Sequence, residues 1–409
     1  MPAVIYVLGL AVFAQGTSEF MLSGLIPDIA ADLHVSIPAA GALTSAFAVG
    51  MVVGAPLVAL LSLRWPRRGA LLIFLVVFLL AHVVGACTGS FWLLMVTRVL
   101  AALTNAGFLA VALAAATALV GPAATGRATS VLLSGVTIAC VAGVPGGAVL
   151  SEFWGWRSAF WAVAAVSVPA IVAVARSVPT GPTDRAAVAE RPTPGARGEL
   201  RALGTARIIV TLLLGALVNG ATFCAFTYLA PLITLVTGLS SGWVPTALVL
   251  FGLGAFAGVT LSGRIADSRP GVLLGVGGIA LLLGWIVFAL VAGEPVAALL
   301  SVFVQGTLSF AVGSTLISQV LTTATGAPTL AGGFATAALN VGAALGPTAG
   351  GAVIAAGLGY RSPLLVSAAL VGAALIGAAL LFSVRAWGAA RAVTPVPEAG
   401  AAPSRRPPA

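Results

Sequence analysis

GGAVLSEFWGWRSAF, residues 146–160, returns as GGAVIAAGLGYRSPL at 350–364, with seven of fifteen positions identical, no gap, and an offset of 204. The same offset pairs Gly50 and Gly54 with Gly254 and Gly258, Gln15-Gly16 with Asn219-Gly220, Pro27 with Pro231 and Pro66 with Pro270. One constant register over so much of a 409-residue chain reports duplicated architecture, because shared composition alone would not hold a single spacing. The chain is two like halves in tandem.

The material of those halves is apolar: 60% of residues are hydrophobic, 7% are charged, and mean hydropathy is +1.14. A soluble domain carries about a quarter charged residues, which excludes that class. In hydrocarbon the backbone must satisfy its own hydrogen bonds, in helices or in a closed barrel. The apolar runs here are about 20 residues long and lack two-residue alternation, so they are helices. Twelve are expected, at 4–26, 38–61, 69–88, 91–113, 128–150, 158–178, 207–230, 244–266, 271–292, 296–320, 329–356 and 362–384; the fourth can run on to Val120, just before Gly121-Pro122. Six spans return the chain to its starting side, so the halves share one orientation. The expected fold is an all-α integral membrane protein of twelve transmembrane helices in two pseudo-symmetric six-helix bundles, 1–178 and 207–384. PTGPTDRAAVAERPTPGARGELRALGTAR (179–207) reads as a flexible linker, assigned to 179–206, and 385–409 reads as a disordered tail.

All 19 basic residues are Arg, and net charge is +9. With the N-terminus inside, 16 of them fall in cytoplasmic segments, as the positive-inside rule requires. Both termini are then cytoplasmic, in a bacterial plasma (inner) membrane, and the charge reports topology, not nucleic acid. No basic n-region or cleavage site precedes Glu19, so the first span reads as uncleaved. Cys87, Cys140 and Cys224 stand alone in apolar segments and read as core residues; no spacing suggests a metal or cofactor site. Asp28 and Asp32 read as interfacial or solvated. His34, in an outer loop, and His82, near an outer span end, read as bystanders for want of an acidic neighbour in sequence.

Glu19 is the exception: of ten carboxylates, it alone falls well inside a span, about seven residues or roughly 10 Å from the outer end at 1.5 Å per residue. A charged carboxylate there costs several kcal/mol unless it is paired, faces a wet cavity, or is protonated. Arg98 lies at comparable depth in span four, where it either snorkels to the outer interface or stays inside as the partner of Glu19. Neither charge repeats, since the offset places Phe223 and Val302 at their counterparts. The first half thus holds the ionisable chemistry. Candidate cavity residues are Gln15, Phe20 and Asn105 in the first half and Asn219, Phe223, Phe226, Tyr228, Gln305, Phe310, Phe334 and Asn340 in the second, the mix of apolar wall and few polar groups that ligand pockets use.

Two parallel six-helix halves resemble the major facilitator superfamily. GVTIACVAGVPGG (135–147) is similar to the antiporter motif of its drug exporters, with Gly135, Ala139, Gly143 and Gly147 spaced four apart, Gly146 beside them, and Pro145 able to bend the span. GRIADSRP (263–270) resembles the superfamily's cytoplasmic loop, in which Gly263, Arg264 and Asp267 would latch the halves near Arg127. Its first-half counterpart, LSLRWPRRG (61–69), has Leu63 in place of the acid and offers Arg64, Arg67 and Arg68. Arg98 matches the Arg of the span-four motif, although Ala101-Ala102 replaces the usual Gln-Gly. QGTSEFMLSGLIPDIAADL (15–33) and GWRSAFW (155–161) are similar to the twelve-helix drug:proton antiporter branch, which includes chloramphenicol exporters and related sugar and nucleoside exporters. RWPRRGALL (64–72) and TRVLAALTNAGFLAVALAAA (97–116) carry the likeness to the actinobacterial chloramphenicol resistance exporters within it.

The resemblance implies alternating access, with export of chloramphenicol or a similar small drug driven by inward proton flow, and with Glu19 as the proton carrier whose protonation Arg98 governs. The expected partners are a small-molecule substrate, protons and the lipid bilayer, with the protein acting as a monomer. A sugar or nucleoside exporter of the same branch is the alternative. An intramembrane enzyme would need a nucleophile with its base, or a metal cluster, and no such set is evident; a passive channel fits poorly with two repeated halves.

Overall fold

The computed structural model describes residues 2–62, 66–120, 125–178, 201, 203–265, 269–324 and 330–392. Among these, twelve helices are long and apolar enough to cross a bilayer. Span one is Ala3–Phe20, continued past a break at Met21 as Leu22–Asp32; spans two to four are Ile37–Ser62, Arg67–Cys87 and Phe91–Val120. Span five is built of Thr125–Ile138, a π-helical stretch Ala139–Gly143, and Val144–Trp154; span six is Arg157–Ser177. Spans seven to twelve are Ala206–Thr227, Val244–Ile265, Pro270–Val291, Pro295–Thr323, Leu330–Ala355 and Ser362–Ala392. The last helix runs eight residues beyond its expected end, and most of the expected linker and tail lie outside the described residues.

Gly155, Gly238, Gly357 and Gly359 take positive φ in the turns on the face opposite the N-terminus, called here the far face. Glycine adopts that backbone without a Cβ penalty, so it can end one apolar helix and start the next within a few residues. Lipid supplies no hydrophobic drive between helices, so close approach at small residues holds the bundles together. The duplicated glycines do this work twice. Gly50 and Gly54 of span two lie against Val99, Ala102, Leu103 and Ala106 of span four; a Cβ at Gly50 would sit 2.7 Å from the Val99 carbonyl oxygen. Gly254 and Gly258 of span eight meet Phe303, Thr307 and Ala311 of span ten in the same way.

The halves meet along spans two and eleven and along spans five and eight. Ser45 and Thr348 share a hydrogen bond at 3.1 Å, and the Tyr228 ring wedges among Gly41, Gly350 and Gly351 while its hydroxyl donates to the Pro347 carbonyl at 2.8 Å. Ser241 donates to Glu152 at 2.8 Å. Odd-numbered spans end, and even-numbered spans begin, on the far face. These contacts therefore seal the halves together there. The approach of Gly252 to the Cys140 carbonyl continues the seam to mid-depth.

Gly254→Val should lower thermal stability in detergent by about 1–3 kcal/mol through overpacking against the span-ten backbone. Gly271→Val, at a position with open space around it, should leave the melting temperature unchanged. Equal melting of the two variants would contradict the packing account.

Candidate functional site

Span one brings Gln15, Ser18, Glu19 and Phe20 to the place where the first half packs on spans three, four and five. Arg98 is 1% exposed, so it does not snorkel. Its Nη1 donates to Ser18 Oγ at 2.9 Å and its Nη2 to the Ser18 carbonyl at 2.8 Å, and its guanidinium carbon lies 4.5 Å from the centre of the Phe47 ring. A buried cation needs such partners, and charge-assisted hydrogen bonds with an aromatic face supply them.

His82 of span three completes the arrangement, and its place in it could not be read from sequence. Its Nδ1 donates to the Phe78 carbonyl at 2.8 Å, since that oxygen can only accept. Its Nε2 lies 2.7 Å from Ser18 Oγ, where a neutral ring accepts the hydroxyl proton. Ser18 thus receives from Arg98 and gives to His82, and one small side chain joins three spans. Among the described residues His82 has no acidic partner, as expected; what it has is a hydroxyl 64 residues away in sequence.

Glu19 is half-buried. The Asn105 amide faces it, Arg98 is the cation that acts on it, and Cys140 of the span-five π-helical stretch is another neighbour. Among the described residues, no ion pair within 4.0 Å joins Glu19 to Arg98. The guanidinium's two terminal nitrogens are committed to Ser18, one residue away. One turn earlier, Gln15 is 1% exposed, and both its amide atoms lack a hydrogen-bond partner within the protein. Residues four apart share a helix face, so Gln15 and Glu19 form one polar strip.

Phe20 carries the site into the second half. Its ring stacks on Phe223 at 5.6 Å and meets Phe226 edge-on at 6.2 Å. Phe226 stacks on Phe251 at 4.4 Å, and Phe251 meets Phe310 at 6.1 Å. The result is an aromatic ladder across the seam. Phe251 was not among the expected residues, because one aromatic in an apolar span carries no distinguishing signal. Other expected lining residues serve packing. Tyr228 holds the far-face wedge, Asn219 donates to the Leu339 carbonyl at 2.7 Å, and Asn340 donates to Thr336 in its own helix at 3.0 Å. Phe334 is exposed, four residues into span eleven.

The glycine motif of span five packs on span one. Gly135 meets the backbone of Gly9 and Phe13, and Gly143 meets Thr17; Gly147 makes ordinary contact with Met21 and Ala159, and Gly146 has open space. Pro145 is buried two residues after the π-helical stretch. Of the expected latch, Arg64 and Asp267 lie outside the described residues; Arg67 and Arg68 open span three, and Arg127, Gly263 and Arg264 are exposed. Cys140 and Cys224 are buried as expected, but Cys87 is exposed at the end of span three. Among the described residues no group of three metal-ligating side chains occurs.

On the far face, Asp32 accepts from Arg157 Nη1 at 2.5 Å and from Trp156 Nε1 at 3.3 Å, and Arg157 Nη2 donates to the Thr88 carbonyl at 3.0 Å. Asp28 accepts from Ser151 at 2.6 Å. The acids expected to be merely interfacial or solvated therefore tie span one to spans five and six and to the loop after span three.

The model of the Major Facilitator Superfamily matches residues 8–332. A relative from Streptomyces lividans, named chloramphenicol resistance protein, is 56% identical over 367 residues, covering 90% of this chain and 93% of its own. The inner membrane transport protein YdhP of Escherichia coli K12 is 37% identical over 356 residues, covering 86% of this chain and 89% of its own. Among solved structures, a bacterial homologue of the human lysosomal transporter Spinster, in an inward-facing and unoccupied conformation, superposes with a TM-score of 0.73 at 19% identity, covering 92% of this chain and 95% of that one.

The Arg157 hydrogen bond holds the Asp32 carboxyl below its usual 3.8. A lowered carboxylate value stabilises the fold above the ordinary pKa, and the effect is lost as pH falls through the lowered one. Because the pair is exposed, Asp32→Asn should cost under about 1 kcal/mol at pH 7. The gap to wild type should close below about pH 4, measured by thermal unfolding across pH 3–7.

Proposed function

Because the chain belongs to the major facilitator superfamily, whose members are membrane transporters, we propose that it exports chloramphenicol or a similar small drug in exchange for protons. The membrane is the bacterial plasma membrane, with both termini in the cytoplasm, in keeping with the Arg distribution. The named relative supports the drug, and the aromatic ladder suits a neutral molecule with an aromatic ring.

The observation that carries the coupling is the division of Arg98 between two neighbours. Its guanidinium is hydrogen-bonded to Ser18 while the Glu19 carboxyl, the next residue, stands without an ion pair. A carboxyl in that place can carry a proton while Arg98 keeps its two hydrogen bonds to Ser18 and its contact with Phe47. When the proton leaves, the new negative charge attracts Arg98 away from Ser18, and a cation that changes partner changes how spans one and four pack. Ser18 and His82 set the position from which Arg98 departs. The far-face seam of spans two and eleven is one closed gate, and rocking the halves about the central site exchanges it for a seal on the other face. A neutral drug moving out as one proton moves in makes each cycle electrogenic.

In a hypersensitive bacterial host, wild type should protect against chloramphenicol and leave sugar and nucleoside handling unchanged. Glu19→Gln and Arg98→Ala, at equal expression, should each lose about tenfold or more of that protection, equivalent to about 1.4 kcal/mol. Full protection by both variants would overturn the coupling assignment, as would transport in vesicles that ignores a proton gradient. Ser18→Ala and His82→Phe should retain transport with a shifted pH profile, because they move Arg98 without removing it.

A further inference from the structure

A narrow slot opens off the aromatic ladder inside the second bundle. Phe226, Phe251, Trp285, Phe288, Val302 and Gln305, from spans seven to ten, surround a cavity of about 10 Å3, room for one water-sized group. Its lining residues are apolar except for the polar ends of Trp285 and Gln305. Trp285 Nε1 and Gln305 Oε1 are both buried, on residues 1% exposed, and neither has a hydrogen-bond partner within the protein. The Gln305 amide is held in place beside them. Its Nε2 reaches the Leu281 carbonyl at 3.4 Å, and Gly284 leaves space that a Cβ would fill, 2.8 Å from Oε1.

Folded proteins seldom leave buried polar atoms unpaired, because each unmade bond costs about 1–3 kcal/mol. Here one unpaired atom is a donor and the other an acceptor, on the wall of one slot. A hydroxyl answers both from a single oxygen: it accepts from the indole N–H and donates its proton to the glutamine carbonyl. An ether or ketone oxygen would serve Trp285 alone. Charged groups gain nothing, since no ionisable side chain lines the slot.

We propose that this slot is a recognition subsite for a hydroxyl group on a small, neutral, aromatic substrate, whose ring rests on the ladder at Phe226 and Phe251. The proposal rests on the export reading and narrows its substrate class to aromatic alcohols. Gln305 and Trp285 then select by hydrogen bonding where the ladder selects by shape and stacking. Water offers the same two capacities, so the test must separate a substrate hydroxyl from a resident water.

Binding of chloramphenicol, its 1-deoxy analogue and its 3-deoxy analogue is measured on full-length wild type, Trp285→Phe and Gln305→Leu in nanodiscs. Wild type should bind chloramphenicol about tenfold or more tightly than one of the two deoxy analogues, because a site built for a hydroxyl rejects its absence. Each variant should lose that preference by weakening on chloramphenicol alone, with its affinity for the deoxy compound unchanged. In ¹⁵N-tryptophan spectra the Trp285 indole resonance, assigned by its loss in Trp285→Phe, should move with chloramphenicol and stay still with that deoxy analogue. If wild type binds all three equally, or the variants keep the wild-type preference, the slot holds water and the proposal falls while export stands. A wild type that neither binds chloramphenicol nor protects cells overturns the export reading and the subsite together.

Discussion

A guanidinium sealed inside a bilayer-spanning bundle must be hydrogen-bonded by the protein itself, since neither lipid nor bulk water can serve it. Arg98 meets most of that demand through both oxygens of Ser18 and the face of Phe47, and its Nε is left without a hydrogen-bond partner within the protein. Much of the first half follows from this constraint. Span one must present Ser18 toward span four, span three must bring His82 to take the hydroxyl proton, and Phe78 must fix the imidazole from below. Glu19, one residue on, stands near a cation whose two terminal nitrogens are engaged by Ser18.

The duplicated framework carries unlike chemistry. Glycine crossings repeat from spans two and four to spans eight and ten, so both bundles are built by the same close approaches. At the counterpart of Glu19 stands Phe223, stacked on Phe20 across the seam. Arg157 pairs with Asp32 on the far face, whereas its counterpart Arg361 has Val236 where the acid would be and lies beside Gly293 instead. One half thus holds the groups that titrate and the other an aromatic wall with sparse polar atoms.

The twelve spans and their duplication were legible in sequence because span length, glycine register and apolar composition are local properties. Glu19 and Arg98 stood out for the same reason: a charge in an apolar run needs no partner to be noticed. His82 did not, since its meaning depends on a serine 64 residues away and on the crossing of spans one and three. Asn219, Asn340 and Tyr228 looked like lining residues because polarity in a span suggests a cavity. Each instead satisfies a helix carbonyl, a demand that sequence gives no means of placing. Trp285 and Phe251 were invisible for the opposite reason, as aromatics in apolar helices are ordinary until four spans converge on them.

The π-helical stretch in span five bears on geometry at longer range. A regular helix advances 100° per residue, so a four-residue repeat creeps about 40° around the axis at every step. From Gly135 to Gly143 that creep would carry the second glycine well away from the side of the first, yet both abut span one. The wider turn over Ala139–Gly143 winds fewer degrees per residue and brings the stripe back into phase. Motif spacing and backbone irregularity are therefore two parts of one angular correction, which turns both glycines toward the same neighbour.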